Sequence, residues 1–319
     1  MKFVYILLSL LTLATAARSQ EINFSRIQDM AVWYNQSLKT DKNNSAKFNM
    51  RSVRFDGMMA YKSMSAMVDV PLVSSEMKEN HEGFISLSAG AASDKSNEGI
   101  LNNTMALLGL SYAIPVAGNS TYIGFGVQGT YYQSRLNLGT GANFGDQFDQ
   151  YGPIEGAPSA DQFASGWSYN HLNVNAGISA FSNAENNQWY IGASIMHINK
   201  SFTDEIKSED NRLHRLISFQ GGYKFTTPQN DYCGIYATMN WQGKAYKHFF
   251  NISYSKAIPG TTAGVGLGLG YRYNDALVPN VELRYNPVVL SLGYDVNVSD
   301  MNTSGFKRNG LELALKLDF

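Results

Sequence analysis

The sequence predicts an all-β protein, a transmembrane antiparallel β-barrel of about 14 strands with polar and apolar faces alternating along each strand. Three observations predict it. The first is the stretch 310–319, Gly-Leu-Glu-Leu-Ala-Leu-Lys-Leu-Asp-Phe, in which Leu311, Leu313, Leu315, Leu317 and Phe319 alternate with Glu312, Lys316 and Asp318. Successive side chains of a strand point to opposite faces, so one face is apolar throughout and the other carries charge. A helix would scatter these leucines around its circumference. The stretch matches the roughly 9–11 residues that a tilted strand needs to cross a bilayer. Phe319 would then act as an aromatic C-terminal barrel signal at the membrane interface.

The second observation is composition. Only 16% of the 319 residues are charged, against about 25% in soluble proteins. There are 19 Tyr, 17 Phe and 29 Gly. Such a chain suits a barrel whose apolar exterior is diluted by a polar lumen. The net charge of −1 excludes a nucleic-acid partner recognised through a basic surface. Cys233 is the single cysteine, which excludes an internal disulfide and a cysteine-based metal site.

The third observation is the rhythm of the connectors. Those at 115–119, 182–188, 226–231 and Asn286 are short and rich in Pro, Gly, Asn and Asp. Those at 93–103, 136–165, 199–214 and 298–309 are long. Short turns at one rim and long loops at the other are the habit of outer-membrane barrels. Asp56-Gly57, a tight turn where a loop was allowed, and 71–82, long for a turn, break the rhythm.

Taken in order, Lys2, the apolar run 3–13 and the small residues at 14–19 read as a signal peptide over 1–19. Residues 20–44 have no strand pattern but carry Phe24, Trp33 and Tyr34. They read as a periplasmic N-terminal segment, either a flexible lead-in or a plug. The barrel is expected over 45–319, with strands at 47–56, 58–70, 83–92, 104–114, 120–135, 166–180, 188–198, 215–226, 232–242, 248–255, 263–273, 279–285, 287–297 and 309–319. The faces are clearest late in the chain. Val288, Leu290, Leu292, Tyr294 and Val296 oppose Ser291, Gly293, Asp295 and Asn297. Val265, Leu267, Leu269 and Tyr271 oppose Gly264, Gly266, Gly268, Gly270 and Arg272. This glycine stripe has a strict period of two and no following helix, so it is no dinucleotide loop. On a lumen face it leaves room for water or for something packed inside.

Several stretches, in order, resemble one family. They are Gln20-Glu21-Ile22-Asn23-Phe24-Ser25, Tyr34-Asn35-Gln36-Ser37-Leu38, Asp94-Lys95-Ser96-Asn97-Glu98-Gly99, and Phe144-Gly145-Asp146-Gln147-Phe148-Asp149. They continue with Gly192-Ala193-Ser194-Ile195-Met196-His197-Ile198-Asn199 and Leu292-Gly293-Tyr294-Asp295-Val296-Asn297-Val298-Ser299. On these the chain resembles the PorP/SprF outer-membrane proteins associated with type IX secretion and gliding in Bacteroidetes. Ile22 and Gln36 stand where that family usually has proline. The resemblance implies a cell outer-membrane barrel without enzymatic activity or cofactor. It implies partners among secretion-system proteins and among cargo carrying a C-terminal sorting domain.

The long stretch 136–165 holds Asp146, Asp149, Glu155 and Asp161 with no Lys or Arg. Phe144, Asp146, Gln147, Phe148, Asp149 and Tyr151 are the candidate partner-binding residues, since acids among aromatics make a protein-binding surface. A solvated acidic loop looks the same, and the spacing fits no EF-hand calcium loop. Arg272, Glu282 and Arg284 are candidate lumen charges on neighbouring strands. His171 and His197, taken as the histidines on firm strands, lack zinc-ligand spacing, and no Gly-x-Ser-x-Gly occurs. The functional expectation is an accessory scaffold of secretion. The alternative is a porin-like channel for small solutes, and a wall-borne Ser–His lipase is a third class.

Overall fold

The structure, a computed structural model, describes residues 24–55, 58–73, 82–96, 99–117, 120–137, 145–154, 156–160, 166–202, 212–299 and 308–319. Its strands are β1 (Ser45–Phe55), β2 (Met58–Leu72), β3 (Phe84–Ser96), β4 (Leu101–Ala117), β5 (Thr121–Leu136), β6 (Phe148–Asp149), β7 (Gly152–Pro153) and β8 (Trp167–Asn183). They continue with β9 (Asn187–Met196), β10 (Leu216–Thr226), β11 (Tyr232–Gln242), β12 (Ala245–Ala257), β13 (Ala263–Arg272), β14 (Ala276–Tyr285), β15 (Val288–Asn297) and β16 (Arg308–Asp318). All but β6 and β7 form one closed 14-stranded barrel in which each strand pairs with its chain neighbour. β16 closes the wall against β1, antiparallel, from Ser45↔Asp318 to Phe55↔Arg308. β6 and β7 make a separate two-stranded sheet between β5 and β8.

Closure leaves no unpaired edge, and alternation then decides which side chains face out. Leu108 (71% exposed), Leu267 (65%) and Ile191 (62%) typify the outer face. In a watery setting such an apolar surface is a liability; in lipid it is the solvent-matched side. Near one rim Phe125, Trp189, Tyr223, Phe225, Tyr254 and Tyr285 face outward. Near the other, Phe219, Trp241, Tyr246, Tyr271 and Tyr273 do so. Two aromatic rows with aliphatics between them match the belts of a membrane-spanning wall. Phe319 follows β16, is outward-facing at 62% exposure, and donates its N–H to the Asn44 carbonyl at 2.9 Å. No described helix is long and apolar enough to cross a membrane.

One rim, the turn end, gathers the starts of β1, β3 and β15 and the ends of β2, β14 and β16. The opposite rim, the loop end, carries the connections at 137–166, 197–215 and 298–307. The connector expected as a long loop at 93–103 is instead mostly strand, because β3 runs to Ser96 and β4 starts at Leu101. Its polar residues pair across strands: Ser134 Oγ donates to Asn103 Oδ1 at 2.8 Å, and Ser63 Oγ to Asp94 Oδ1 at 2.5 Å. Polarity there marks a hydrated face of the wall rather than its end. The long connector expected at 71–82 follows β2, which ends at Leu72, and β3 resumes at Phe84. Asp56-Gly57 lies outside the described residues. His248 belongs to β12, and His197 follows β9 with a φ of 58°, so the expected pair of strand histidines is corrected. The wall's register places His248 inside the strand, and the chain turns at His197.

Inside the barrel, residues 24–38 form a compact segment with a short helix α1 (Ala31–Tyr34) and a 3-10 turn (Gln36–Leu38). Phe24, Ile27, Met30, Val32, Trp33, Tyr34 and Leu38 are all buried. Burying each such side chain is worth about 1.5–3 kcal/mol before ordering costs. A four-residue helix has too few internal bonds to persist alone, so packing on the wall holds it.

Candidate functional site

The site is the interface between this internal segment and the wall. Phe24, Met30, Val32, Trp33 and Tyr34 pack with Met67, Ala92, Leu107, Met196 and Leu216 of β2, β3, β4, β9 and β10. Met196 and Leu216 flank the 197–215 connection, so Phe24 lies toward the loop end. The chain then descends, and residues 39–44 lead into β1 at the turn end. There Phe84, Tyr122 and Phe181 form a buried aromatic cluster, with the Lys42 ammonium 5.6 and 5.4 Å from two of the rings.

Asn35 is the pivot. Its side-chain oxygen accepts from Ser37 N–H at 3.1 Å, fixing the 3-10 turn, as a short polar side chain does at a helix start. Its amide donates to Gln220 Oε1 at 3.2 Å and to the Ala193 carbonyl at 3.3 Å. Ser194 Oγ donates to the Tyr34 carbonyl at 2.6 Å, and Ser179 Oγ to the Ser37 carbonyl at 2.8 Å. Gln36 Nε2 donates to Ser88 Oγ at 2.8 Å. Two stretches that carried the family resemblance, 34–38 and 192–197, therefore touch each other. At Gln36, where that family usually has proline, the amide makes a wall contact that proline has no donor for.

The close approach depends on bare backbone. A Cβ at Gly124 would stand 2.7 Å from the Ser37 carbonyl oxygen, and one at Gly192 2.7 Å from Asn35 Nδ2. Gly177 faces Asn35 Oδ1, Gly109 faces Gln36 and Gly126 faces Ser37 N in the same way. The stripe singled out in the sequence, Gly264 to Gly270, does a different job. Its room is taken by Arg284, Glu282, Asn280 and Phe249 of the adjoining strands. The wall glycines that admit the segment, Gly90 against Trp33 among them, are scattered over five strands, one or two to a strand, and so form no local pattern.

Charge completes the interface. Arg26 bridges Asp29 at 2.5 Å and Glu282 at 2.6 Å. Burial alone would lower the Arg26 pKa; Asp29 and Glu282 override it and raise it. Burial alone would push the Asp29 carboxyl up, but Arg26 holds it below the usual carboxylate range. Lys39 is held at 2.9 Å by Asp41; burial lowers its pKa, while that ammonium overrides burial and depresses Asp41.

Of the candidate lumen charges, Glu282 is buried and accepts from Tyr232 O–H at 2.6 Å as well as from Arg26. Arg272 pairs not with Glu282 but with Asp295 at 3.1 Å and Asp275 at 2.7 Å. Arg51 also meets Asp295, at 2.5 Å. Arg284 lies 3.8 Å from Glu282 and donates to the Asn230 carbonyl at 3.1 Å.

The candidate loop residues lie apart from this interface. Asp146 accepts from Ser159 O–H at 2.7 Å and Ala160 N–H at 2.6 Å, and these donors lower its pKa. Asp149 accepts from Tyr151 and Gly152 N–H at 2.8 and 3.1 Å. Gln147 Nε2 donates to the Ala157 carbonyl. These groups fold the loop onto itself and raise the tip, where Tyr151 is 89% and Phe148 49% exposed. Phe144 lies outside the described residues. Among the described residues no group of three or more His, Cys, Asp or Glu is arranged to hold a metal ion.

A closed wall, an apolar exterior between aromatic rows and a polar interior define a β-barrel of the bacterial outer membrane. Its fold is similar to that of the Pseudomonas putida toluene transporter TodX, at 7% identity and a TM-score of 0.55 over 91% of this chain and 92% of that one. It is similar to the CymD monoaromatic hydrocarbon channel, at 10% identity and 0.51 over 91% and 92%. It is also similar to a Pseudomonas aeruginosa FadL homologue, at 6% and 0.50 over 87% and 89%. At such identities the likeness concerns the fold alone. No curated protein matches the chain. The chain belongs to the PorP/SprF family of type IX secretion system membrane proteins, whose model matches residues 36–316.

Proposed function

We propose that this outer-membrane barrel is a non-enzymatic accessory scaffold of type IX secretion, with residues 20–44 acting as its plug. The wall anchors the protein in lipid. The loop end, facing outside, docks cargo carrying a C-terminal sorting domain or parts of the secretion machinery. The observation that carries this reading is the occupied lumen: residues 24–38 are buried against the wall by apolar packing, hydrogen bonds and ion pairs. A barrel filled in this way serves better as a platform than as a passage. The docking face is the tip formed by Asp146, Gln147, Phe148, Asp149 and Tyr151, where exposed aromatics stand among acids, the mix that protein interfaces favour.

The test is removal of residues 140–160 with surface display of cargo as the readout. Display should fall sharply while small-solute uptake stays intact. Undiminished display would remove the loop from the account. The second reading is a channel for small solutes. It draws on the fold shared with proteins described as a toluene transporter and a monoaromatic hydrocarbon channel. It requires loss of uptake in a deletion strain with surface display unchanged.

A further inference from the structure

A cavity of about 990 Å³ lies at the turn end, between the internal segment and the inner faces of β9 to β16. Tyr232, on β11, lines it beside a cation from β10 and another from β14. Lys224 Nζ is 5.0 Å and the Arg284 guanidinium carbon 4.9 Å from the centre of its ring. We propose that this cavity is a binding site for a small water-borne oxyanion, a phosphate or carboxylate group held between Lys224 and Arg284 over the ring of Tyr232.

The lining carries six carboxylates and five cations, and the pairing among them leaves Lys224 and the Arg284 Nε over. Most of the acids have partners. Glu282 takes Arg26 and the Tyr232 hydroxyl, each at 2.6 Å. Asp29 holds Arg26, Asp41 holds Lys39, and Asp318 holds Lys316 at 3.0 Å. Asp231 accepts from the Ala257 N–H at 2.7 Å. Among the described residues, no carboxylate lies within ion-pair distance of Lys224, whose contact is the Tyr232 ring. The Arg284 Nε is buried without a hydrogen-bond partner, and its nearest Glu282 oxygen is 3.8 Å away. A guanidinium carries five N–H donors in a fixed fork that suits an oxyanion. Two like charges beside one ring repel each other, and an anion between them turns that repulsion into attraction.

The wall is built to set Arg284 there. It lies across β13, where a Cβ at Gly264 would stand 2.7 Å from Nη2 and 3.0 Å from Nε. Asn230, in the turn before β11 with a φ of 64°, offers its carbonyl to the guanidinium at 3.1 Å. The cations face the lumen rather than lipid, so the anion arrives through water past the turns at 227–231 and 258–262.

The experiment is calorimetric titration of the detergent-solubilised chain with inorganic pyrophosphate and, separately, with citrate, which tell the phosphate from the carboxylate class. At least one should bind, and Lys224→Met and Arg284→Gln should each weaken it about tenfold or more. Lys244→Met, in the turn between β11 and β12 at the loop end, should not. Arg284→Lys keeps the charge without the fork and should fall between. Absence of binding by either probe to the unaltered chain overturns the proposal without reference to any variant. So does binding that survives loss of both cations.

Discussion

At the residue scale, the seating of the internal segment rests on what is missing from the wall. Asn35 and Ser37 reach wall backbone only because Gly124, Gly126, Gly177 and Gly192 carry no side chain. Gly177→Val should expel Asn35 from its bonds to Gln220 and Ala193 and cost about 1–3 kcal/mol of docking, as overpacking commonly does. Gly129 is the control: a Cβ there meets nothing within 4 Å, so Gly129→Ala should be silent. Emission from Trp33, with Trp167, Trp189 and Trp241 changed to phenylalanine, reports the difference. It should shift to the red in the first variant and stay put in the second. An unshifted Gly177→Val would mean that the segment does not sit where the geometry has it. Arg26→Met should act more strongly, by about 3–5 kcal/mol, because it leaves Glu282 and Asp29 without their cation in a buried setting. The same emission shift measures it, against denaturant. None of these partnerships is legible in the chain. Arg26 and Glu282 are 256 residues apart, and no local period connects a glycine in β8 with an asparagine before β1. The strand faces, by contrast, could be read because a period of two is local.

At the element scale, strand alternation was legible and strand length was not. Polar residues such as Asn102 and Asn103 look like loop in a list of letters, yet they belong to β4: Asn103 accepts from Ser134 on the inner face, and Asn102 accepts from Ser93 at 3.3 Å on the outer face near the loop end. The internal segment was visible as an aromatic stretch without a strand partner, but its shape was not, since α1 exists only against the wall. Its docking has a defined pH dependence. Asp29 and Asp41 have depressed carboxyls, so their contribution is complete above the ordinary carboxylate range and disappears as pH falls through the depressed values. Lys39, lowered by burial, works in the other sense: its cost to docking is relieved as pH rises toward the ordinary lysine range. Trp33 emission should therefore be flat from neutral pH to about 5 and move to the red only below about 4. A transition centred near neutrality would assign the docking to other groups.

At the scale of the whole molecule, the wall, its exterior and its interior each answer a different solvent. Aliphatic side chains between two aromatic rows meet lipid, and a closed hydrogen-bonded ring leaves no backbone group unpaired in it. The inner faces pack and hydrogen-bond to residues 24–44 over part of the lumen and leave the turn-end cavity beside β9 to β16. This division could be expected from composition, few charges with many aromatics and glycines. Its consequence, a barrel obstructed from within, depends on how residues 24–38 pack against the wall, which composition does not carry. Membership in the PorP/SprF family supplies the secretion system, and the occupied lumen is what favours a platform over a passage. The most direct measurement is ion conductance in planar bilayers, comparing the intact chain with one lacking residues 24–39. The intact barrel should be silent or nearly so, and the shortened one should carry steady current. A steadily open pore in the intact chain, or no gain of current on removing the segment, would contradict the account.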